Sequence, residues 1–493
     1  MVQPAPTPLY RALRMSARLS LGLFYRHIEV TGLEHLEQLE HGVPTILAST
    51  HPNSIVDPLL VGLFEQRQVT FCARDGLFRV PVFGRLLRSV GAVPIRRRSD
   101  HADGVDNDDA FAACRAVLAQ GGVISIFPEG KTHARMRVEP IRTGVARIAI
   151  DAERSAGPLD VHIVPVGLNY LVREAFRSDV HVAFGPPIRV PELLDPTADP
   201  QTLVRALTER VGESMRALAV HVEREEDERL IAQVTAIIVG IRDAEGLDGE
   251  GQSPAERTAL ARRVIDAYRW LEDHDPIRCA RLRTRVMRYL DERRSLGIGG
   301  VQTALQGRRE RRHGREDHSI LGPIALLLGA PLAALGVATS ILPFLIVRLL
   351  LLIGRPTTYR IALTKLLGGT VLFGGWFALL TWAALEAVGP GAAAFVGLML
   401  MPLTVFTHRY LIDLRLYRFG LRKNLRRMVQ RRRFARLRNE RDRLTHELAQ
   451  LRHAYLAQLP KPQPDPKPDP NPDPEPEPKQ AQKSSGTSPS PNR

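Results

Sequence analysis

An α/β domain with a mostly parallel sheet flanked by helices, followed by a helical connector and C-terminal transmembrane helices, is the fold class this sequence predicts. Three observations predict it. Short β-rich runs alternate with segments of helical periodicity from about residue 31 to 200, strand signals then stop, and three apolar stretches long enough to cross a lipid core come late in the chain.

The β-rich runs are PTILAST (44–50), VTFCA (69–73), GAVPI (91–95), GVISIF (122–127), HIVPVGL (162–168) and VHVAF (180–184), and they mark the domain at 31–200. Ahead of it, residues 1–30 predict an amphipathic helix with Arg11, Arg14 and Arg18 on one stripe and Leu9, Leu13 and Phe24 on another. Such a helix suits docking at a membrane interface or packing on the α/β core. The segment lacks the apolar run and small-residue cleavage site of a secretory signal, and it reads as a retained part of the protein.

Residues 201–318, rich in Arg, Glu, Leu and Ala, predict a helical connector. The transmembrane region, 319–408, holds apolar runs at about 319–347, 366–385 and 387–407. The first contains Pro323, Pro331 and Pro343 and continues past Arg348 to Ile353, so it reads as one tilted span or as a hairpin of shorter helices. The basic helical stretch at 409–459 belongs on the cytoplasmic side by the positive-inside bias. With the front half on that side too, an even number of crossings is expected, making one run re-entrant or the first a double pass. The basic stretch suits contact with anionic lipid heads, or a solvated helix or short coiled coil. The Pro-rich tail, 460–493, is expected to be disordered.

Lys and Arg number 68 against 53 Asp and Glu, and the net charge of +15 points to an anionic partner. The apolar runs favour membrane lipids or a phosphorylated substrate over nucleic acid. The three cysteines, Cys72, Cys114 and Cys279, are spaced neither like a metal site nor like a disulfide framework, which suits a reducing compartment.

Three motifs carry chemistry. In STHPNSIVDPLL, His51 follows an apolar strand and Asp57 opens a helix. Imidazole is the side chain whose pKa suits removal of a hydroxyl proton near neutrality, and a carboxylate fixes its tautomer. GVISIF then runs into PEGKTH, placing Glu129, Gly130, Lys131 and His133 at a strand end, where Lys131 or His133 suits a phosphate and Glu129 an acceptor or a cation. GAVPIRRR ends a third strand in Arg96, Arg97 and Arg98, whose guanidinium groups suit phosphate oxygens. Taken singly, these motifs also read as a turn with an N-cap, a charged turn and a solvated strand end.

Together, and in this order, they resemble the glycerolipid acyltransferase family of 1-acylglycerol-3-phosphate and glycerol-3-phosphate acyltransferases. His51 and Asp57 match the first block, Gly91 and Arg97 the second, Phe127 to Gly130 the third, and Val164 to Val166 the fourth. The resemblance covers about residues 20–190, including FGPPI at 184–188. It implies an acyl-CoA or acyl-carrier-protein donor, no metal and no other cofactor, and direct transfer with His51 as base and Asp57 orienting it. Arg97 and the Glu129–Gly130 turn would then recognise a phosphorylated glycerol-type acceptor, with Lys131 and His133 as candidates by position.

Two features depart from the family pattern. Five residues separate His51 from Asp57 instead of four, so the pair meets only if the turn at Pro52–Asn53 absorbs one. The third block continues Lys131, Thr132, His133 where Thr and Arg or Ser are common. The HPN...DP form and the C-terminal apolar runs resemble the subgroup of yeast-type glycerol-3-phosphate/dihydroxyacetone-phosphate acyltransferases. The expected protein is therefore an integral membrane enzyme of phospholipid biosynthesis, its α/β domain and basic tail facing the cytoplasm, acylating glycerol 3-phosphate or dihydroxyacetone phosphate. Lysophosphatidate is the alternative acceptor, and an inactive membrane scaffold or lipid-binding protein is the alternative class.

Overall fold

A computed structural model describes residues 5–39, 42–80, 83–97, 107–155, 157–173, 175, 177–195, 197–244, 253–296, 321–354 and 368–458. The α/β region runs α1 (Pro8–Phe24), β1 (His27–Thr31), α2 (Glu34–Glu37), β2 (Thr45–Ser49), α3 (Val56–Phe64), β3 (Val69–Arg74), α4 (Phe83–Ser89) and β4 (Val93–Ile95). It continues through α5 (Asp108–Ala119), β5 (Val123–Ile126), α6 (Gly144–Ser155), β6 (His162–Tyr170), β7 (Asp179–Phe184), β8 (Ile188–Arg189) and α7 (Pro200–Leu218).

The sheet order is β1-β7-β6-β2-β5-β3-β4, with β8 on β6. Pairing is parallel from β4 through β3, β5 and β2 to β6, and between β1 and β7, whereas β6 meets β7 and β8 antiparallel. Central β2 is buried along its whole length, which is why it reads as a continuous apolar run and not as an alternating one. The sequence reading did not include β1 or β8. β1 is a half-exposed edge strand carrying His27 and Glu29, and β8 is only two residues long.

Helix α7, capped by Asp199, buries Leu203, Leu207, Val211 and Met215 in the same core as β2 and α6. It therefore completes the α/β domain, and the connector begins after Leu218. Among the described residues, the connector then forms α8 (Glu225–Ala244), α9 (Pro254–His274) and α10 (Pro276–Ser295).

The membrane region comprises α11 (Leu321–Gly354), α12 (Gly369–Ala387) and α13 (Pro390–Val429). Among the described residues these three are long and apolar enough to cross a membrane, over Leu326–Ile353, Gly369–Ala387 and Pro390–Arg415. The alternative of a hairpin or double pass in the first run does not hold: Leu321–Gly354 is one helix, with Pro331 and Pro343 inside it. Neighbouring helices support it. At Gly336 a Cβ would stand 1.8 Å from Thr407 Oγ1, so the backbones of α11 and α13 approach closely, and Ser340 and Thr404 share a 2.9 Å hydrogen bond across them.

α13 runs on past the apolar span into the basic stretch, and α14 (Arg431–Gln458) then folds back onto the connector. Leu437, Leu444 and Leu451, one heptad apart, are buried against α8, α9 and α10. Arg285 of α10 pairs with Glu440 and Glu447 of α14. One face of the basic helix is therefore spent on a helical bundle, while its arginines line the other faces. The tail at 460–493 lies outside the described residues.

Candidate active site

β2 and β5 are parallel neighbours, paired from Thr45–Val123 to Ala48–Ile126, so the residues that follow each strand leave the sheet side by side. The carboxyl ends of parallel strands are where α/β sheets bind ligands. This geometry brings together His51 and Glu129, 78 positions apart: the His51 N–H donates to Glu129 Oε1 at 3.0 Å. β6 flanks β2 on its other side, with Val164, Pro165 and Val166 in register with Leu47, Ala48 and Ser49.

His51 Nδ1 lies 2.9 Å from Asp57 Oδ2, and the imidazole stacks on Phe127 with ring centroids 4.2 Å apart. Asp57, in the first turn of α3, is fully buried. The Asn53 N–H donates to its Oδ2 at 2.7 Å and the Tyr170 hydroxyl to its Oδ1 at 2.5 Å. Burial, reinforced by the Asp57 charge, pushes the Tyr170 phenol well above its usual pKa, so it remains a donor. The extra residue between His51 and Asp57 is absorbed at Ser54, one position beyond the expected turn, where φ is 54°. That left-handed conformation costs a non-glycine residue about 1–2 kcal/mol. Asn53 is held in turn by the Tyr25 hydroxyl and the Arg173 carbonyl, at 3.1 and 3.3 Å.

Glu129 is 2% exposed and spends both oxygens on protein partners. Besides the His51 N–H, it accepts from the Glu139 N–H at 3.3 Å and pairs with His133 Nε2. His133 and Glu129 are not part of the cavity wall described below. Gly130 has φ 71°, and a Cβ there would stand 2.4 Å from Arg142 Nε, so only glycine lets the Arg142 side chain cross the turn. Lys131 reaches Glu139 Oε2 at 3.2 Å, and Arg137 reaches the other oxygen at 3.4 Å. Burial alone would raise the Glu139 carboxyl, but Lys131, Arg137 and His133 together hold it below its usual pKa.

A cavity of about 1230 Å³ opens beside His51. Helices α1, α3 and α4 give it an apolar wall through Leu13, Leu59, Leu63 and Leu87, and Thr370 and Val371 of α12 reach it from the membrane region. Its basic wall comes from Arg96, Arg97, Lys131, Arg142 and Arg147, which follow β4 and β5 or begin α6. Arg98 lies outside the described residues. Helix α1 thus packs on the core through Tyr10, Leu21 and Phe24, with Arg14 donating to the Glu65 carbonyl at 2.9 Å, while Leu9, Met15 and Leu19 stay exposed. Cys72, also in the wall, sits 3.6 Å from Cys114 Sγ, a pair that sequence spacing conceals.

Of the residues singled out by sequence, His51, Arg97, Gly130 and Lys131 line the cavity, Asp57 stands behind His51, and Glu129 and His133 pair outside the cavity wall. Sequence reasoning did not single out Asn53, Tyr25, Tyr170, Arg142 or Arg147. Tyr170 carried the one usable signal, since it ends the β6 run beside the first motif.

The family model described as Acyltransferase matches residues 27–169. Glycerol-3-phosphate O-acyltransferase 1 of Saccharomyces cerevisiae is 33% identical over 124 residues, covering 24% of this chain and 16% of the yeast protein. Its companion, glycerol-3-phosphate O-acyltransferase 2, is 38% identical over 90 residues, covering 18% and 12%. A chloroplastic 1-acyl-sn-glycerol-3-phosphate acyltransferase of Brassica napus is 25% identical over 179 residues, covering 36% and 48%. The chain thus spans less than half the length of each of these relatives. The crystal structure of the 1-acyl-sn-glycerophosphate acyltransferase of Thermotoga maritima covers 42% of this chain and 79% of its own, at 19% identity and a TM-score of 0.31.

Proposed function

We propose that this chain, whose residues 27–169 match the acyltransferase family model, is a glycerolipid acyltransferase that moves a fatty acyl group from a thioester donor to the hydroxyl of glycerol 3-phosphate or dihydroxyacetone phosphate. The observation that carries this reading is the His51–Asp57 pair set in a cavity with an apolar and a basic wall.

Because Asp57 occupies Nδ1, Nε2 of His51 is the nitrogen left to take the acceptor's hydroxyl proton. The hydroxyl oxygen attacks the thioester carbonyl, and a tetrahedral intermediate forms. Its collapse breaks the C–S bond and expels the thiolate, which recovers the proton from the imidazolium. Asp57, supported by Tyr170 and the Asn53 N–H, stabilises that imidazolium. Arg97, Lys131 and Arg142 suit the acceptor phosphate, and the apolar wall suits the acyl chain. The donor is acyl-CoA or acyl-carrier protein, and the scheme needs no metal. Glu129 and His133 act by holding His51 in place and not by touching the acceptor.

Lysophosphatidate is a second acceptor reading, favoured by the Brassica relative and by a cavity spacious enough for a lipid tail beside the donor chain. With one of the three apolar helices re-entrant, the Arg-rich end of α13 and the α/β domain share a side, which the positive-inside bias makes the cytoplasmic one. The test is acyl transfer by the full chain in lipid nanodiscs, with labelled acyl-CoA or acyl-carrier protein and the three acceptors in parallel beside a His51→Ala control. Turnover on glycerol 3-phosphate or dihydroxyacetone phosphate that the control lacks supports the reading. Turnover on lysophosphatidate alone moves the enzyme to the second acylation, and no turnover with any acceptor or donor on folded protein sinks it in favour of another acceptor or a scaffold.

A further inference from the structure

Away from the cavity, Arg26, Arg177 and Arg257 come together where β1, β7 and α9 meet, and Arg409 of the last membrane helix lies close enough to act electrostatically on Arg177. Arg26 precedes β1 and Arg177 lies two residues before β7, and the parallel pairing of those strands brings them together. The Arg26 N–H donates to the Ser178 carbonyl at 2.8 Å and the Arg177 N–H to the Phe24 carbonyl at 2.6 Å. Arg177 is held at φ 62°, a left-handed conformation unfavourable for a non-glycine residue, which fixes where its side chain leaves the backbone. Arg257 comes from the start of α9, which is pinned to β1 by the Ala255 N–H donating to Glu29 Oε2 at 2.8 Å. Arg409 stands near the polar end of the span Pro390–Arg415.

Counter-charge at this seam is short. Asp179 is engaged by Arg26 at 3.2 and 3.3 Å, and Glu29 by the Ala255 N–H. Among the described residues, Arg177, Arg257 and Arg409 have no carboxylate within ion-pair distance, and Arg257 Nε is buried with no acceptor. Burial, with Arg26 beside it, lowers the Arg257 pKa to about 10 even though Glu256 opposes the shift, and burial with Arg409 and Arg26 lowers that of Arg177. Guanidinium groups gathered and partly dehydrated in this way repel one another unless an anion joins them. None of the four lines the catalytic cavity.

We propose that Arg26, Arg177, Arg257 and Arg409 form a binding site for the phosphate of an anionic phospholipid headgroup, separate from the catalytic cavity. Planar guanidinium forks match phosphate oxygens bidentately, and the end of a membrane span is the depth at which a headgroup phosphate lies. The assignment rests on the last helix crossing the bilayer and not on acyl transfer, so the two readings fail separately.

The experiment is native mass spectrometry of the full chain released from nanodiscs of phosphatidylcholine with or without phosphatidylglycerol, with thermal melts to verify folding. Wild type is expected to retain phosphatidylglycerol in preference to phosphatidylcholine. Arg257→Gln and Arg409→Gln are expected to lower that retention about tenfold each, the scale of one charge-assisted hydrogen bond, and Arg257→Lys less. Arg409 is exposed, so its variant decides the matter if Arg257→Gln does not fold. Equal retention in folded wild type and variants overturns the site. In phosphatidylcholine alone, stabilisation by inorganic phosphate that Arg257→Gln abolishes, without any preference for phosphatidylglycerol, would assign the site to a soluble phosphate and overturn the lipid assignment.

Discussion

Two histidine–carboxylate pairs flank one turn of the α/β domain, and they face different surroundings. His51–Asp57 stands at the cavity, with the imidazole in its wall and the carboxylate fully buried behind. His133–Glu129 is buried to much the same degree, with side-chain exposures of 9% and 0% against 11% and 0% for His51–Asp57, but it lies outside the cavity wall, and Glu129 is tied to the backbone of both His51 and Glu139. The residue types are the same in both. What separates them is position relative to the cavity, which His51 lines and His133 does not, so the first pair suits proton transfer and the second holds the first in position.

The largest expected effect falls on the pair at the cavity. His51→Ala should lower kcat by about 10³–10⁴-fold with little change in Tm, and Asp57→Asn by about 10²–10³-fold, measured by acyl transfer and thermal melts in nanodiscs. The second pair should respond mainly in stability. His133→Ala leaves a buried carboxylate short of a partner and should cost about 3 kcal/mol in denaturant unfolding, with the loss in kcat confined to about tenfold. A His133→Ala protein with unchanged Tm and kcat down a thousandfold would break the comparison, because His133 would then be acting on substrate.

Smaller effects sharpen the same contrast. Tyr170→Phe removes one donor from Asp57 and should cost about 1–2 kcal/mol, read as a drop in kcat of about tenfold with KM unchanged. The smallest effect is a pH dependence on the side of the second pair. Nδ1 of His221 accepts from the Val138 N–H at 2.9 Å, one residue before Glu139. Burial, then Arg269 and Arg216, lower its pKa from 6.5 to about 4. The folded protein thus binds this proton less readily than the unfolded chain, so the stability it contributes is complete above pH 6.5 and lost as pH falls towards 4. Tm should decline by a few degrees over that window, and His221→Gln should flatten the decline.

The chemistry-bearing blocks were legible because each sits where a buried strand ends, and an uninterrupted run such as TILA or VISI announces itself through burial on both sheet faces. The register that aligns β2 with β5 and β6 is a long-range pairing that no local pattern records. Ser54 shows the same limit at the site. A serine gives no sign of a left-handed backbone, and the conformation is imposed by Asp57 reaching back to the Asn53 N–H and His51. In α14 the leucines Leu437, Leu444 and Leu451 bury in the bundle, which agrees with the short-coiled-coil reading of the basic stretch, but which helices they pack against is not legible from the heptad itself. α7 was assigned to the connector because its own periodicity does not say which hydrophobic surface it covers.

The return of α14 also orders the protein's synthesis. The apolar core shared by β2, α6 and α7 has all its parts once the ribosome has passed Ala219 and can fold as a unit while the rest is still being made, with α9 added to β1 later. Helices α8, α9 and α10 have no such independence, because the leucines that complete their apolar interior are translated only after all three membrane helices. Until α14 emerges, that interior lacks part of its apolar cover. The bundle therefore closes last, and its closing depends on the helices between Leu296 and Arg431 having left the C-terminal segment on the same side of the bilayer as α8–α10.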